Sequence, residues 1–510
     1  MEEKKRTRKY VPARFIWAGL TILIEFCLMI AAVGVITFYV PYFYAAVVLT
    51  QLVVAVAIIN SHENPDYKVP WLFFDLLLPV VGFMAYFVFY KRNLSKSDFK
   101  ALKEINKPLA VDDRQALENC KKEDKLDYSQ VKCIKGIANT HLYQNTDIKF
   151  LASGEEMFAS MLEDLKTAKE FIFVDYFIIE KGVFWDSVLK ILQKKVQENV
   201  EVRVIYDDIG CMKRVSSLYY KKLQKMGINA IPFNILRGQA NGDFNNRNHR
   251  KIMVIDGKIA YTGGINLADE YINQIHPFGH WKDVGVRIEG EAVSELTRLV
   301  LMDFVVSSRK RKDLDYEKYY KQHSVPNQGF CMPFGDGPNP VYTRRVAKTV
   351  ILNIINQAQK YVYITTPYLI VDDEIVQSLE NAGLRGIDVK IITPHIPDKK
   401  IVFQITQSYY DRLTQAGVKI FEYKPGFIHA KTYLSDDTTA LVGTINLDHR
   451  SLVHHFEDGV WIYKHEVIND IKNDFLVTQS KSVEYKHGTL KTNFLKRFAI
   501  SFINIFSTLF

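Results

Sequence analysis

The chain has 510 residues, and 66 lysines and arginines against 57 acidic residues give it a formal net charge of +9. This length is too great for one hydrophobic core, so we expect two or three domains, and the positive charge favours an anionic partner such as lipid or nucleic acid. Five cysteines without CxxC spacing argue against a disulfide framework and against a zinc site.

Three apolar runs occupy the first ninety residues, at positions 15–40, 43–59 and 69–90. Each is long enough, or nearly so, to cross a hydrocarbon core of about 30 Å. Together they are too long for a cleaved signal peptide. We therefore predict that residues 1–93 form a membrane-anchoring region of two to three helices.

The charges around these runs bear on membrane topology. Lysines and arginines flank the region on both sides, and the positive-inside rule then requires an even number of crossings. Because the third run carries Asp75 and Pro79, we expect two full crossings and a third run that enters and returns, unless the N-terminus is translocated despite its charge. The rest of the chain would then lie on the cytoplasmic face. Glu25 and Asp75 are either functional intramembrane acids or groups at a helix contact.

The remaining sequence reads as a soluble α/β protein. Residues 94–130 are charged and mixed, which is typical of a linker with a helix. Helical patterns then alternate with apolar, β-branched runs, once over residues 131–325 and again over 326–486. This rhythm predicts two fused α/β halves, each a mixed sheet with helices on both faces. The apolar tail, 487–510, is either an amphipathic helix in the membrane interface or a helix docked on the core.

One motif occurs in both halves. "HRKIMVID" begins at His249 and "HAKTYLSD" at His429, and each continues to a glycine and an asparagine at the same spacing, ending at Asn266 and Asn446. The shared template is H-x-K-x4-D-x6-G-x2-N. A template with this many fixed positions would rarely occur twice in one chain by chance.

The sequence downstream of the motif also aligns. Setting Gly285 on Gly459 places Asp283 opposite Glu457. The segment between the motif asparagine and the acid is longer in the first half than in the second. We interpret residues 273–279 as a loop inserted there.

If the two motifs meet, they form a site suited to binding a phosphate group. This site contains two histidines, two lysines and two asparagines. Lysine charges and amide donors match non-bridging oxygens and can stabilise a pentacoordinate transition state without a metal. One imidazole attacks phosphorus, and the other protonates the departing oxygen and then deprotonates the incoming hydroxyl. We expect Asp283 and Glu457 each to hold a histidine Nδ1–H, and Asp256 and Asp436 to brace loops.

The paired motifs resemble those of the phospholipase D superfamily. The apolar N-terminal runs, together with "VDYFII", "TTPYLI" and "NLDHRS", resemble bacterial cardiolipin synthases. The resemblance implies transfer of a phosphatidyl group from one phosphatidylglycerol to the terminal hydroxyl of another, with release of glycerol, no cofactor and His249 as the nucleophile. By motif position, the family's site residues here are His249, Lys251, Asp256, Asn266, His429, Lys431, Asp436 and Asn446.

The chain departs from the family pattern at one place in each half. The family often has Gly-Ser where this chain has Gly263-Gly264 and Gly443-Thr444. Thr444 keeps a hydroxyl that could bind phosphate, whereas Gly264 cannot supply one.

Other functions stay open at this level. The membrane runs and the lack of an aromatic and basic stripe argue against a nucleic-acid phosphodiesterase. Phosphatidylserine synthase or a lipid hydrolase fits the motifs equally well, because they define the donor chemistry and not the acceptor. A non-catalytic lipid-binding scaffold would not need Asp283 and Glu457. The sequence does not indicate an oligomeric state, and we take the other histidines of this region as core residues, namely His276, His280, His449, His454 and His455.

Overall fold

The computed structural model describes residues 13–39, 41–61, 64–78, 80–89, 96–107, 109–235, 245–308, 316–339, 341–490 and 493–509. Several residues on which the predicted membrane topology depends lie outside the described ranges, namely Pro79, the basic residues before position 13 and those at positions 91 and 92.

The N-terminal region forms four helices: α1 (Ala13–Tyr39), α2 (Pro41–Ile59), α3 (Pro65–Leu77) and α4 (Val81–Phe89). Helices α1 and α2 each contain an 18-residue window long and apolar enough to cross a membrane. The third apolar run is split between α3, of 13 residues, and α4, of 9 residues. At 1.5 Å per residue these helices are roughly 20 Å and 14 Å long, too short to span about 30 Å.

The two acids of the membrane region have different surroundings. Glu25 is exposed on α1. Asp75 is fully buried beside the small apolar cluster that joins α2, α3 and α4. Neither of its carboxylate oxygens has a hydrogen-bond partner among the described residues. Of the two acids, Asp75 is therefore the one enclosed by protein.

The segment predicted as a linker is instead a helical layer of the core. It contains α5 (Lys96–Ile105), α6 (Arg114–Glu123) and the start of α7 (Lys125–Ala138). Leu102, Ile105 and Cys120 are buried in the main hydrophobic cluster of the protein. The charged residues that suggested a linker lie largely on the outer faces of these amphipathic helices.

The first half is built on a seven-stranded mixed sheet with strand order β1-β8-β6-β5-β2-β3-β4. Its strands are β1 (Thr146–Leu151), β2 (Phe171–Tyr176), β3 (Glu201–Asp207), β4 (Asn229–Phe233), β5 (Lys251–Ile255), β6 (Ile259–Gly263) and β8 (Gly285–Gly290), with β7 (His280–Lys282) outside the sheet. Its helices are α8 (Gly154–Thr167), α9 (Val183–Gln197), α10 (Tyr219–Gln224) and α11 (Val293–Ser307).

The second half repeats this plan in an eight-stranded sheet with order β19-β13-β12-β10-β15-β16-β18-β9. The strands of this sheet are β9 (Phe330–Asp336), β10 (Tyr361–Thr365), β12 (Asp388–Pro394), β13 (Lys419–Tyr423), β15 (Thr432–Ser435), β16 (Thr439–Gly443), β18 (Glu457–Tyr463) and β19 (Ser482–Glu484). Three short strands lie outside it, namely β11 (Leu369–Ile370), β14 (Gly426–Ile428) and β17 (Leu447–Asp448). The helices are α12 (Val346–Gln357), α13 (Asp373–Leu384), α14 (Lys400–Ser408), α15 (Tyr410–Gln415), α16 (Val467–Ser480) and α17 (Phe494–Ile505).

Strand register confirms both the predicted α/β class and the alignment of the halves. Gly263 of β6 pairs with Gly285 of β8, and Gly443 of β16 pairs with Gly459 of β18. A Cβ atom on Gly263 would lie 2.5 Å from the Cα of Gly285, and one on Gly443 would lie 2.7 Å from the Cα of Gly459. Glycine at these crossings therefore lets the two strands approach at the same point in each half.

The two halves share an interface and a core. Strand β7 follows the loop inserted in the first half and pairs in parallel with β14 of the second half. Helix α11 is buried almost throughout and packs in one hydrophobic cluster with β9 and α12. The strand ends that carry the two motifs therefore meet where the halves join.

The C-terminal helix α17 docks on the membrane region and leaves an apolar face exposed. The rings of Phe502 and Phe506 lie 6.1 Å and 5.4 Å from that of Phe73 on α3. Phe494 and Phe498 remain exposed. The docked alternative is thus observed, while the location of the tail in a membrane interface stays a prediction.

Candidate active site

Each motif histidine is positioned by the main chain of the opposite half. His249 precedes β5, and its N–H donates to the carbonyl of Phe456 at 2.9 Å. His429 follows β14, and its N–H donates to the carbonyl of Lys282 at 2.7 Å. The two histidines therefore occupy equivalent places on the two sides of the interface.

The predicted acids contact the histidines, and each pair crosses the interface. His249 Nδ1 lies 2.9 Å from both carboxylate oxygens of Glu457. His429 Nδ1 lies 2.6 Å from Oδ2 of Asp283. Both acids are fully buried. A carboxylate on Nδ1 favours the tautomer that carries its proton there, which leaves Nε2 as the nitrogen available for chemistry.

The motif lysines are buried next to the histidines. Lys251 Nζ donates to the carbonyl of His249 at 2.6 Å. Lys431 Nζ lies 2.8 Å from His429 Nδ1 and also donates to the carbonyl of that residue. Burial lowers the pKa of Lys251 to about 8 and that of Lys431 to about 7. An anionic phosphate would offset this burial and favour the charged amines.

Burial also keeps both histidines neutral near pH 7. It lowers the pKa of His249 well below 6.5, with Lys251 and Lys431 adding repulsion. It lowers the pKa of His429 to about 4, with Lys431 as the next cause. Burial alone would raise the pKa of Asp283, but His429 and Lys431 lower it overall. The site thus places neutral imidazoles beside an ionised Asp283.

The amide groups of the two motif asparagines already have partners. Asn266 accepts the N–H of Ile178 at 3.0 Å and donates to the hydroxyl of Tyr271 at 2.6 Å. Asn446 donates to Asp448 at 3.2 Å, and its Oδ1 is buried without a partner among the described residues. An asparagine amide nitrogen carries two N–H donors, and each of these nitrogens uses one of them, so the second can donate to a phosphate oxygen.

The motif aspartates lie at the far ends of their strands and brace loops. Asp256 accepts the backbone N–H groups of residues 169, 170 and 171 at 2.7–2.8 Å. Asp436 accepts those of residues 359, 360 and 361 at 2.6–2.9 Å. Each carboxylate thereby holds the start of the neighbouring strand, β2 or β10. This geometry agrees with the loop-bracing role expected from the residues themselves.

The hydroxyl of Thr444, for which the sequence predicts phosphate binding, contacts protein groups in the structure. Its hydroxyl donates to Glu457 and accepts the N–H of Asp458 at 3.0 Å. A Cβ atom on Gly264, the equivalent residue, would lie 2.1 Å from Oδ1 of Asp283. The threonine therefore supports the longer acid in one half, and the glycine makes room for the shorter acid in the other.

The sequence predicts His455 as a core residue, whereas the structure places it beside His249. Its ring lies 5.3 Å from that of His249, and its Nδ1 is 3.7 Å from Glu457. Burial lowers the pKa of His455 to about 3. His249, His455 and Glu457 place three possible metal ligands within 4.8 Å of one another. The sequence offered one indication of this location, because His455 stands two residues before Glu457, the acid predicted to contact a catalytic histidine.

A second group of residues behind the site was also missed. Arg250 is fully buried, and its Nε donates to the carbonyl of Glu457 at 3.0 Å while a terminal nitrogen contacts Asp303 at 2.8 Å. Asn248 donates to Asp175 at 2.6 Å. Arg250 thereby links the segment beyond His249 to the second half, whereas Asn248, the residue before His249, is anchored to β2 of its own half.

Comparisons with known proteins agree with the fold and the repeated motif. A family model described as "Cardiolipin synthase, PLD-like domain" matches residues 161–295 and 351–477, and one described as "Phospholipase_D-nuclease N-terminal" matches residues 49–89. The crystal structure of a phosphatidylserine synthase from Haemophilus influenzae aligns with a TM-score of 0.59 at 17% identity, covering 76% of this chain and all of that one. At this identity the likeness shows the fold alone.

The curated relatives match over most of the chain. An uncharacterized protein of Streptococcus mutans is 40% identical over 85% of this chain and 94% of its own length. Cardiolipin synthases of Halalkalibacterium halodurans and Staphylococcus aureus are 31% and 32% identical over 85% of this chain and over 87% and 89% of their own lengths. The chain therefore belongs to the cardiolipin synthase family of phospholipase D-like phosphatidyltransferases.

Proposed function

We propose that this protein is a cardiolipin synthase, which joins two phosphatidylglycerol molecules and releases glycerol. The observation that carries the proposal is the pair of His249–Glu457 and His429–Asp283 contacts, formed across the interface at 2.9 Å and 2.6 Å. A buried lysine accompanies each pair. Similarity to curated cardiolipin synthases supports the choice of substrate.

In the first step, Nε2 of His249 attacks the phosphorus of phosphatidylglycerol. A phosphorus–nitrogen bond forms, and the bond to the glycerol oxygen breaks. His429 gives its proton to that oxygen, and its protonation beforehand is favoured when an anionic phosphodiester offsets the nearby lysines. Lys251 and Lys431 supply positive charge to the non-bridging oxygens, which carry more negative charge in the transition state.

In the second step, His429 accepts the proton of the acceptor hydroxyl. The alkoxide oxygen attacks the phosphatidyl group on His249, and the phosphorus–nitrogen bond breaks. His249 returns to its neutral form and His429 to its protonated form, so the protons balance over the cycle. Glu457 and Asp283 keep the two imidazoles oriented and stabilise their positive forms.

The acceptor distinguishes cardiolipin synthesis from the alternatives. Purified full-length protein should convert labelled phosphatidylglycerol, supplied alone, to cardiolipin and glycerol in equal amounts. Phosphatidic acid as the sole lipid product would instead indicate a hydrolase, and phosphatidylserine formed on addition of serine would indicate a phosphatidylserine synthase. His429→Ala protein serves as the control for contaminating activity.

We also propose that α1 and α2 cross the membrane, and that α3 and α4 enter and return on the side of the catalytic halves. The lengths of α3 and α4 support this arrangement, as does the 2.9 Å hydrogen bond between the hydroxyl of Tyr67 on α3 and Nδ1 of His449. Basic flanks on both sides of the region favour the cytoplasmic face for both ends. The exposed aromatic face of α17 would rest on the same membrane surface.

Cysteine labelling tests this topology. Single cysteines replace Glu2 and Asn119 in a variant without the native cysteines, and intact cells are treated with a membrane-impermeant reagent. Two crossings predict that neither site is labelled until the membrane is opened. Labelling at position 119 in intact cells would contradict the cytoplasmic location, and labelling at position 2 alone would indicate a translocated N-terminus.

A further inference from the structure

His455 is a buried polar side chain whose ring nitrogens have no hydrogen-bond partner among the described residues. It follows a short π-helix, Arg450–His454, and its backbone N–H donates to the carbonyl of Arg450 at 2.9 Å. The ring is inclined by 40° to that of His249. An orphaned imidazole in such a place costs stability unless something binds it.

The other half of the protein lacks this imidazole. Trp281 stands two residues before Asp283, as His455 stands two residues before Glu457. The Trp281 ring lies 5.5 Å from that of His429 and is inclined by 45°, close to the values for His455 and His249. The halves therefore present equivalent histidine–acid pairs, but among the described residues only the His249–Glu457 pair has a second imidazole beside it.

We propose that His249, His455 and Glu457 form an inhibitory binding site for a zinc-like divalent cation. Two imidazoles and one carboxylate are a ligand set that zinc accepts. The distance from Glu457 to His249 Nδ1 is 2.9 Å and that to His455 Nδ1 is 3.7 Å. Neighbouring ligands of tetrahedral zinc lie about 3.3 Å apart when each is about 2.0 Å from the metal, so these three groups, now within 4.8 Å of one another, must draw together to bind it and leave the fourth position to water.

Metal binding here would stop the reaction through the tautomer of His249. Coordination uses the lone pair of Nδ1, so the single proton of the neutral His249 ring moves from Nδ1 to Nε2. A protonated Nε2 can neither attack phosphorus nor accept a proton. Glu457 is also drawn from the histidine to the metal. The cation is thus an inhibitor, and the proposed catalytic cycle does not require it.

Metal binding and inhibition can be measured on the same protein. Full-length wild type, freed of metal with EDTA, is titrated with Co²⁺ while its visible absorption is recorded, and its activity is titrated with Zn²⁺. The His455→Trp variant copies the arrangement around Trp281, and His455→Asn is a smaller second variant. Loss of an outer partner of a metal ligand typically weakens affinity by about 10–100-fold, so loss of a ligand should raise the inhibitory zinc concentration at least that much.

The expected result has two parts. Wild type shows intense cobalt bands and zinc inhibition that EDTA reverses, whereas folded His455 variants lose the bands and need at least roughly tenfold more zinc relative to their own basal activity. A wild type without cobalt bands, or inhibition that is equally sensitive in the variants, would overturn the proposal. The cobalt spectrum does not depend on enzyme activity. It therefore tests metal binding at this site even if a variant is inactive or the proposed substrate is wrong.

Discussion

The contact between Glu457 and His249 allows a sharp test of the proposed chemistry. Glu457→Gln preserves the volume of a fully buried side chain that contacts both His249 and the Thr444 hydroxyl. The amide can face His249 in two ways. If its nitrogen faces Nδ1, the histidine adopts the tautomer with the proton on Nε2. If its oxygen does, the tautomer is kept but the positive imidazole loses its counter-charge.

Both outcomes slow the chemical step. Removing the charge from an acid that orients a catalytic histidine typically lowers turnover by about 10⁴-fold, and here we expect a loss of about 10³–10⁴-fold. This corresponds to roughly 4–5.4 kcal/mol of activation free energy at 1.36 kcal/mol per decade. The assay is conversion of labelled phosphatidylglycerol by purified protein, with product analysis and with thermal unfolding measured in parallel.

Asp458→Asn is the matched control. Asp458 is the next residue, is equally buried and binds the hydroxyl of Thr262, but it contacts neither histidine in the hydrogen-bond pattern of the described residues. Burial raises its pKa to about 7, so much of its population is already neutral and the amide changes little. We expect less than about a tenfold loss of activity. Glu457→Gln protein that keeps a tenth of wild-type activity, or an equal loss in both variants, would refute the orienting role.

Four further outcomes follow from the same geometry. Activity should survive excess EDTA, and a collapse that magnesium restores would contradict a mechanism based on histidine and lysine alone. His249→Ala and His429→Ala should both be inactive, and a phosphatidyl adduct trapped on His429 in the His249→Ala protein would reverse the proposed roles. Thr444→Val should lower activity about tenfold by removing one hydrogen bond from Glu457 and leaving the buried N–H of Asp458 without its partner, and Thr444→Ser should restore most of it. The pKa values of His429 and His449, about 4 because of burial, lie below the unfolded value of about 6.5; stability is therefore complete above that pH and should fall in thermal melts as pH drops toward 4.

The amino-acid sequence by itself determined the repeated architecture and most of the candidate site residues. Strand and helix periodicity is local, so the α/β rhythm could be read from the chain. The recurrence of a long template gave the correct alignment, which the pairing of Gly285 and Gly459 with their partner glycines confirms. The same alignment identified Asp283 and Glu457, because each occupies the same position on an equivalent strand.

Local sequence patterns predicted the structure less well in segments whose conformation depends on packing against other elements. The charged stretch at residues 94–130 carries too few apolar residues to suggest a core element. The apolar residues it does contain lie on one face of each helix and pack in the main hydrophobic cluster. The third apolar run has the composition of a spanning helix, but it is divided between α3 and α4, which pack on each other. In both cases the neighbouring elements determine what the segment becomes.

Only the tertiary structure decided which groups meet at the interface. The acid of each half contacts the histidine of the other, a pairing that no single repeat contains. Thr444 binds Glu457, and His455 reaches the active site although its sequence context resembles that of an ordinary buried histidine. These contacts depend on how the two sheets are placed against each other. Side-chain spacing along the chain carries no information about that placement, whereas the shared core and the pairing of β7 with β14 define it.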